Sequence, residues 1–400
     1  MPWKESSPMS ERMEFVQQCS RRRHSIVDIC AEFGISEKTG HKILRRFVTE
    51  GPAGLDDRSH ARHHQAHQVP AAIAARLIAL RKQHPLYGAA KLRDWLVQRE
   101  PEVAWPAAST VGDLLTRAGL IRSRGRRRGP VHLRLESGRT EATAPNVVWT
   151  ADFKGEFPLR GGGAKCYPLT VLDLHCHFLL GCTALTSTAV RTARQRFELL
   201  FRTYGLPEVI RTDNGVPFAQ PNALGRLGTL ALWWVRLGIR PEHIPPSRPA
   251  ANGAHERFHR TLNAHTIQPV AAASFAAQQR RFDRFRCEYN EERPHESVAD
   301  RHPPGSVYEA SPRTYPHRLP TLIYPSTTTV RRVTSAGTVR YQGALYFLTR
   351  ALTGEYIGIT EATDDHHTVS FGPLLLGEID LQTNRFEGNV RWTSPVTPRR

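Results

Sequence analysis

Three acidic residues occupy positions that invite chemistry. Asp152 lies inside NVVWTADFKGEF, a β-branched and aromatic run that predicts a strand, where aspartate is disfavoured. Asp213, in RTDNGVPF, follows the apolar pair Val209-Ile210 and precedes the turn-forming Asn214-Gly215. Glu256 falls in RPAANGAHERFHRTL, where Pro245, Pro246 and Pro249 stiffen the approach and Asn252 is suited to cap a helix with Glu256 in its first turn. Each has an ordinary explanation: a turn-adjacent Asp, a strand-end carboxylate beside solvent, a Glu favoured by a helix dipole. On a strongly basic chain the three together point elsewhere. Hard Mg²⁺ or Mn²⁺ ions take oxygen ligands and keep phosphate oxygens in their shells. Three carboxylates can hold two such ions ~3.5–4 Å apart, one activating an attacking oxygen and one stabilising the leaving oxygen of an in-line displacement. The expected reaction is at a phosphodiester.

Positioning these acids makes demands on the elements that carry them. Period-two alternation sets Val148, Thr150 and Asp152 on one strand face and Trp149, Ala151 and Phe153 on the other, with Trp149 expected in the core. Glu256, His259, Arg260 and Asn263 follow helical spacing and share a polar face, with Asn252 and Gly253 shaping the helix entry. Arg260 reads either as a DNA phosphate contact near the ions or as a solvent-facing arginine.

Charge identifies the partner class. Lys and Arg number 55 against 37 Asp and Glu, a formal +18, which predicts a polyanionic partner. Residues 1–140 hold +11 of it, and residues 121–140 hold seven Arg and one Glu. That run, with Arg126, Arg127 and Arg128, reads as a solvated linker able to follow a phosphate backbone. Upstream, Ile26, Ile29, Cys30 and Phe33 keep helical spacing until Gly34, and Ser36 then caps a second helix bearing Ile43, Leu44 and Phe47. This pattern predicts a helix-turn-helix, or else a plain helical hairpin, whose second helix presents Lys38, Thr39, His41, Lys42 and Arg45 outward to suit a major groove. No run of ~18 apolar residues is present and the start lacks a signal peptide's apolar middle, so a soluble cytoplasmic protein without membrane contact is expected. The six cysteines form no C-x-x-C pair. The patch of His60, His63, His64 and His67 reads as linker rather than metal site.

These signals predict a multidomain chain. An all-α helix-turn-helix module is expected over 1–58, a second helical unit over 68–121 (a further helix-turn-helix or a three-helix support), and the Arg-rich linker over 122–144. Three closely spaced strands and then strands alternating with helices predict a layered α/β domain over 145–310, closed by a long helix. Short strand-like runs separated by glycines predict a small β-barrel over 325–390.

WTADF, RTDNGVPF and RPAANGAHERFHRTL resemble the three blocks of the DDE transposase and retroviral integrase superfamily, with Asp152, Asp213 and Glu256 at the acidic positions. YNEERPHESV (289–298) is similar to a block that follows the core in bacterial insertion-sequence transposases, and the resemblance spans nearly the whole chain. It implies an RNase H-like integrase core and two Mg²⁺ or Mn²⁺ ions held by the three acids. The implied activity is binding of terminal inverted repeats with DNA cleavage and strand transfer, by two-metal-ion hydrolysis and transesterification. Its implied partners are double-stranded DNA, both element ends and target, and further copies of the chain on paired ends. Two features depart from the pattern. The 42 residues between Asp213 and Glu256 exceed the retroviral spacing and imply an extra loop or turn at 223–234, and Cys176-His177 replaces the usual Ser-Arg. The rival readings are a catalytically inactive, transposase-derived DNA-binding regulator and an RNase H-like nuclease without joining activity.

Overall fold

The computed structural model describes residues 7–58, 69–121, 139–220, 223–244 and 253–393, in two compact units, 1–69 and 70–400. Arg126, Arg127, Arg128, Asn252 and the histidines 60–67 fall outside the described residues.

The first unit holds α1 (Pro8–Ser20), α2 (Ile26–Glu32) and α3 (Glu37–Glu50) around Phe15, Val16, Ile29, Cys30 and Leu55. Ser36 caps α3 as the sequence predicts, its hydroxyl accepting from Thr39 N at 3.3 Å. Gly40 is needed because a Cβ there would lie 2.4 Å from Cys30 Sγ, so α3 crosses α2 closely. This orients Lys38, Thr39, His41, Lys42 and Arg45, all exposed or half-exposed, along one face of α3.

The second unit opens with α4 (Ala71–Gln83), α5 (Ala89–Arg99) and α6 (Ala108–Arg117). A six-stranded mixed sheet follows, made of β1 (Val148–Phe153), β2 (Phe157–Pro158), β3 (Lys165–Asp173), β4 (Leu179–Leu185), β5 (Val209–Thr212) and β6 (Arg240–His243). Its order runs β6-β5-β1-β3, with β2 and β4 also pairing β3; β1 is parallel to β5 and antiparallel to β3. The layered α/β expectation is therefore met. Between β4 and β5 lies α7 (Val190–Tyr204), and between β5 and β6 lies α8 (Thr229–Arg236). The N-cap of α7 is Ala189, without a side-chain cap. Burial of Phe197 and Phe201 against Trp149 and Trp234 supplies what the missing cap does not.

The period-two reading of β1 holds. Trp149 and Ala151 face the cluster built with α7 and α8, while Thr150 faces α9 (Gly253–Leu262). Behind α9 runs α10 (Phe275–Glu291), whose amides close the exposed side of β4. Asn290 accepts from Leu179 N at 2.9 Å and donates to Leu179 O at 3.0 Å, and Gln279 accepts from Ala184 N at 2.8 Å and donates to Cys182 O at 3.0 Å. Two side chains thus do what a neighbouring strand would do. The α4–α6 unit docks on the same region: Tyr87 Oη donates to Glu288 Oε1 at 3.0 Å, and Arg301 Nη1 to the buried Asp94 Oδ2 at 3.0 Å.

The C-terminal strands are β7 (Thr329–Arg332), β8 (Thr338–Tyr341), β9 (Ala344–Phe347), β10 (Tyr356–Glu361), β11 (His366–Phe371), β12 (Leu374–Asp380) and β13 (Arg385–Trp392). A β-rich C-terminal region is present as expected, but no closed sheet forms and the small barrel is not confirmed. Five strands form an open antiparallel sheet, β13-β12-β11-β10-β7, and β8 and β9 form a separate hairpin beside its end strands. Alternating apolar residues predict a curved sheet around a core but do not say which edges zip together. The extra length before Glu256 includes a 3₁₀ turn, Leu224–Arg226, that packs on β13, where a Cβ on Gly225 (φ +56°) would meet Val390 at 2.6 Å.

Asn290→Ala leaves a buried N–H and C=O of Leu179 without partners. The expected loss is about 2–4 kcal/mol in denaturant-induced unfolding, against under about 0.5 kcal/mol for the exposed Arg196→Gln.

Candidate active site

Parallel pairing of β1 with β5 fixes the first two acids. The register aligns Ala151 with Thr212, so Asp152 and Asp213 occupy the next positions at the carboxyl ends of neighbouring strands. This is where β1 passes from parallel to antiparallel partners, the kind of place where α/β sheets bind ligands. Asp213 accepts from Gly215 N at 3.2 Å, and a Cβ at 215 would come 2.9 Å from Asp213 Oδ2, which makes glycine part of the carboxylate's seat. Asn214 donates from Nδ2 to Ile244 O and so ties the turn to the end of β6.

Two histidines attach α9 to the same face of the sheet. His255 Nδ1 lies 3.1 Å from Thr150 Oγ1, and its Nε2 lies 3.1 Å from Thr170 Oγ1. His259 Nε2 lies 2.9 Å from that same Thr170 hydroxyl, and its Nδ1 is 4.0 Å from Asp152 Oδ2. Thr170 gives its one proton to Asp152 O at 3.0 Å, so both imidazoles must donate to its lone pairs from Nε2. Thr150 then donates to His255 Nδ1. Complete burial holds His255 well below the ordinary histidine range, with His259 adding to the effect. Burial, then Lys154, lowers His259 to about 4. Both rings are therefore neutral near pH 7.

Glu256 stands between these two histidines and is exposed, as is Arg260 one turn on. Among the described residues no three His, Cys, Asp or Glu side chains gather closely enough to hold a metal ion. The structure sets Asp152 and Asp213 side by side and fastens the helix of Glu256 over the same face, without drawing the third carboxylate in. The donor chemistry fits a hard divalent ion, since all three candidates offer carboxylate oxygens.

Several supports were not read from the sequence. Arg211 Nε donates to Glu242 Oε2 at 2.6 Å and Arg211 Nη2 to Thr140 O at 2.7 Å; both side chains are nearly buried and pin residue 140 to the strands. Asp173, fully buried, accepts from Asn146 N, His175 N and Cys176 N, and Cys176 Sγ donates to it at 3.3 Å, so cysteine serves in the position where a serine was expected. Trp149 is fully buried and donates from Nε1 to Asn146 Oδ1 at 3.0 Å.

Burial pushes His265 down to about 4, with Arg293 and His84 adding to it, and pushes His295 down to about 3, with His177, Lys91, Arg293 and Arg257 adding to it. The unfolded chain would bind these two protons near pH 6.5, the folded chain only well below it. Stability should thus be full above ~6.5 and fall as pH drops toward 4, by up to ~1.4 kcal/mol per pH unit for each ring. Denaturant titrations at several pH values check this, with His265→Gln flattening the slope.

Profiles for known domains match four parts of the chain: "Helix-turn-helix domain" over 11–63, "Homeodomain-like domain" over 39–115, and "Integrase core domain" over both 142–249 and 237–303. The chain is 27% identical over 231 residues to the insertion element IS407 uncharacterized 31.7 kDa protein of Burkholderia multivorans, covering 56% of this chain and 77% of that protein. It is 30% identical over 128 residues to the Pol polyprotein of feline endogenous virus ECE1, covering 32% of this chain but only 11% of the polyprotein. The HTLV-2 integrase catalytic core in complex with magnesium aligns at 11% identity over 42% of this chain and 100% of that one, with a TM-score of 0.30. No helix among the described residues is long and apolar enough to cross a membrane. The chain thus carries helix-turn-helix and integrase core domains in this order, and it is similar to insertion-element proteins and to retroviral Pol polyproteins.

Proposed function

We propose that this chain is an active DDE transposase that binds the terminal inverted repeats of its element, cleaves DNA there and joins the exposed 3′ hydroxyl to target DNA. The observation that carries this reading is the β1–β5 register, which aligns Asp152 with Asp213 beneath the helix that bears Glu256. Asp152, Asp213 and Glu256 are the residues that would hold two Mg²⁺ or Mn²⁺ ions, with Glu256 turning from solvent toward the strands. Such ions, when bound, lower the pKa of the attacking hydroxyl and offset charge at phosphorus. The chain's own contribution is positional. His255 and His259 fasten α9, Gly215 seats Asp213, and Asn214 holds the turn, while Arg260 offers a cation for the strand backbone beside the acids.

DNA recognition is assigned to the modules proposed at 1–58 and 68–121, the first through Lys38, Thr39, His41, Lys42 and Arg45, and the linker at 122–144 would add Arg126, Arg127 and Arg128 along the backbone. The catalytic module extends over 145–310 and the β-rich module over 325–390. Bringing two element ends together calls for more than one copy of the chain. The exposed position of Glu256 favours one rival, a DNA-binding regulator that has kept the acids and lost the chemistry.

Asp152→Asn, Asp213→Asn and Glu256→Gln should each lower Mg²⁺-dependent strand transfer at least ~100-fold while leaving DNA affinity nearly unchanged. Lengthening of a labelled, 3′-hydroxyl-terminated strand in gel assays measures it. A wild-type chain that binds the ends yet never extends that strand would establish the regulator. Separately, Lys42→Ala with Arg45→Ala should weaken binding and reduce the slope of log affinity against log salt by about one for each phosphate no longer neutralised, read by fluorescence anisotropy.

A further inference from the structure

Beside α9 a cleft of about 530 Å³ opens between α5, the β3–β4 turn and the segment that follows α10. Three cations line it: Lys91 from α5, Arg257 next in sequence to Glu256, and Arg293 from the segment after α10. Glu296 is the one carboxylate among the described residues of the lining. The cations are built in to different degrees. Lys91, mostly buried, donates from Nζ to Pro294 O at 2.9 Å, and burial with Arg293 nearby lowers its pKa. Arg293 is 7% exposed, spread over the Tyr87 ring at 5.1 Å and 3.1 Å from His265 Nε2. Arg257 is exposed at the mouth. One wall is the stacked pair His177 and His295, with ring centroids 4.7 Å apart at 26°. His177 is held at φ +60°, a conformation that a non-glycine residue adopts only when its surroundings impose it.

Like charges gathered in a half-buried cleft repel one another, and an anion relieves that repulsion. The mix of arginine forks, an ammonium and flat imidazole faces suits a phosphodiester flanked by sugar and base better than a small inorganic anion. We propose that this cleft receives a backbone phosphate of the DNA strand that passes the acids, held between Lys91 and Arg257, with Arg293 behind them. The assignment rests on the transposase reading and adds to it a specific anchoring point, made jointly by the α4–α6 unit and the core. The cleft then works as a gauge: a strand fixed there meets α9 one residue from Glu256.

The test uses the full chain and a fluorescein-labelled duplex of mixed sequence, with affinity measured by anisotropy across a salt series. Arg257→Gln removes an exposed charge without removing packing, and Lys91→Gln keeps an N–H able to reach Pro294 O. Each should weaken binding about tenfold and flatten the salt slope by about one. Arg196→Gln, on the exposed face of α7, should change neither. An unchanged slope in Arg257→Gln, or an equal loss in Arg196→Gln, overturns the cleft as a phosphate site. Failure of the wild-type chain to bind the duplex would take the transposase reading down as well, whereas wild-type binding with unaffected variants refutes the cleft alone.

Discussion

Parallel pairing between β1 and β5 is the constraint on which the rest of the structure depends. Two strands ~4.7–4.9 Å apart, aligned through Ala151 and Thr212, leave no freedom in where the next residue of each is presented. Everything around them preserves that alignment. The Arg211–Glu242 pair fastens β5 to β6 and to residue 140, and Asp173 gathers three backbone N–H groups behind β1. The hydrophobic cluster then loads the opposite face with Trp149, Phe197 and Trp234 and continues through α8 into the C-terminal sheet. A shift of one residue would move Asp152 to the apolar face and Trp149 to the polar one, a penalty no local rearrangement could absorb.

The third acid is held by a different kind of interaction. The Thr170 hydroxyl collects a backbone carbonyl and two imidazoles, a hub with one proton to give and two lone pairs to fill. Such a hub is satisfied by imidazoles that donate from Nε2, and burial keeps both rings neutral. Helix α9 is thereby fixed in azimuth over the strands while Glu256 itself stays in solvent.

The parts of this arrangement legible in the sequence are those governed by short-range periodicity. The alternation in NVVWTADF separated Asp152 from Trp149 correctly, and Ser36 announced α3. What the sequence could not disclose depends on contacts between distant segments. Arg211 looks like one more basic residue until Glu242 and Thr140 meet it. Asn290 looks like a polar residue near a helix end until Leu179 lies beside it. The C-terminal strands were visible by their alternation, but closure into a barrel depends on which edges meet. The convergence of the acids was readable as far as their elements; the rotamer of Glu256 was not.

The amide bridges from Asn290 and Gln279 also decide where this molecule can grow. With β4 occupied by side chains that imitate a strand, its edge offers no template to an incoming chain. On the mixed sheet the other border is β6, four residues long and, among the described residues, paired only with β5. Among the described residues, strand addition to this sheet is thus left only a border too short to support extended pairing.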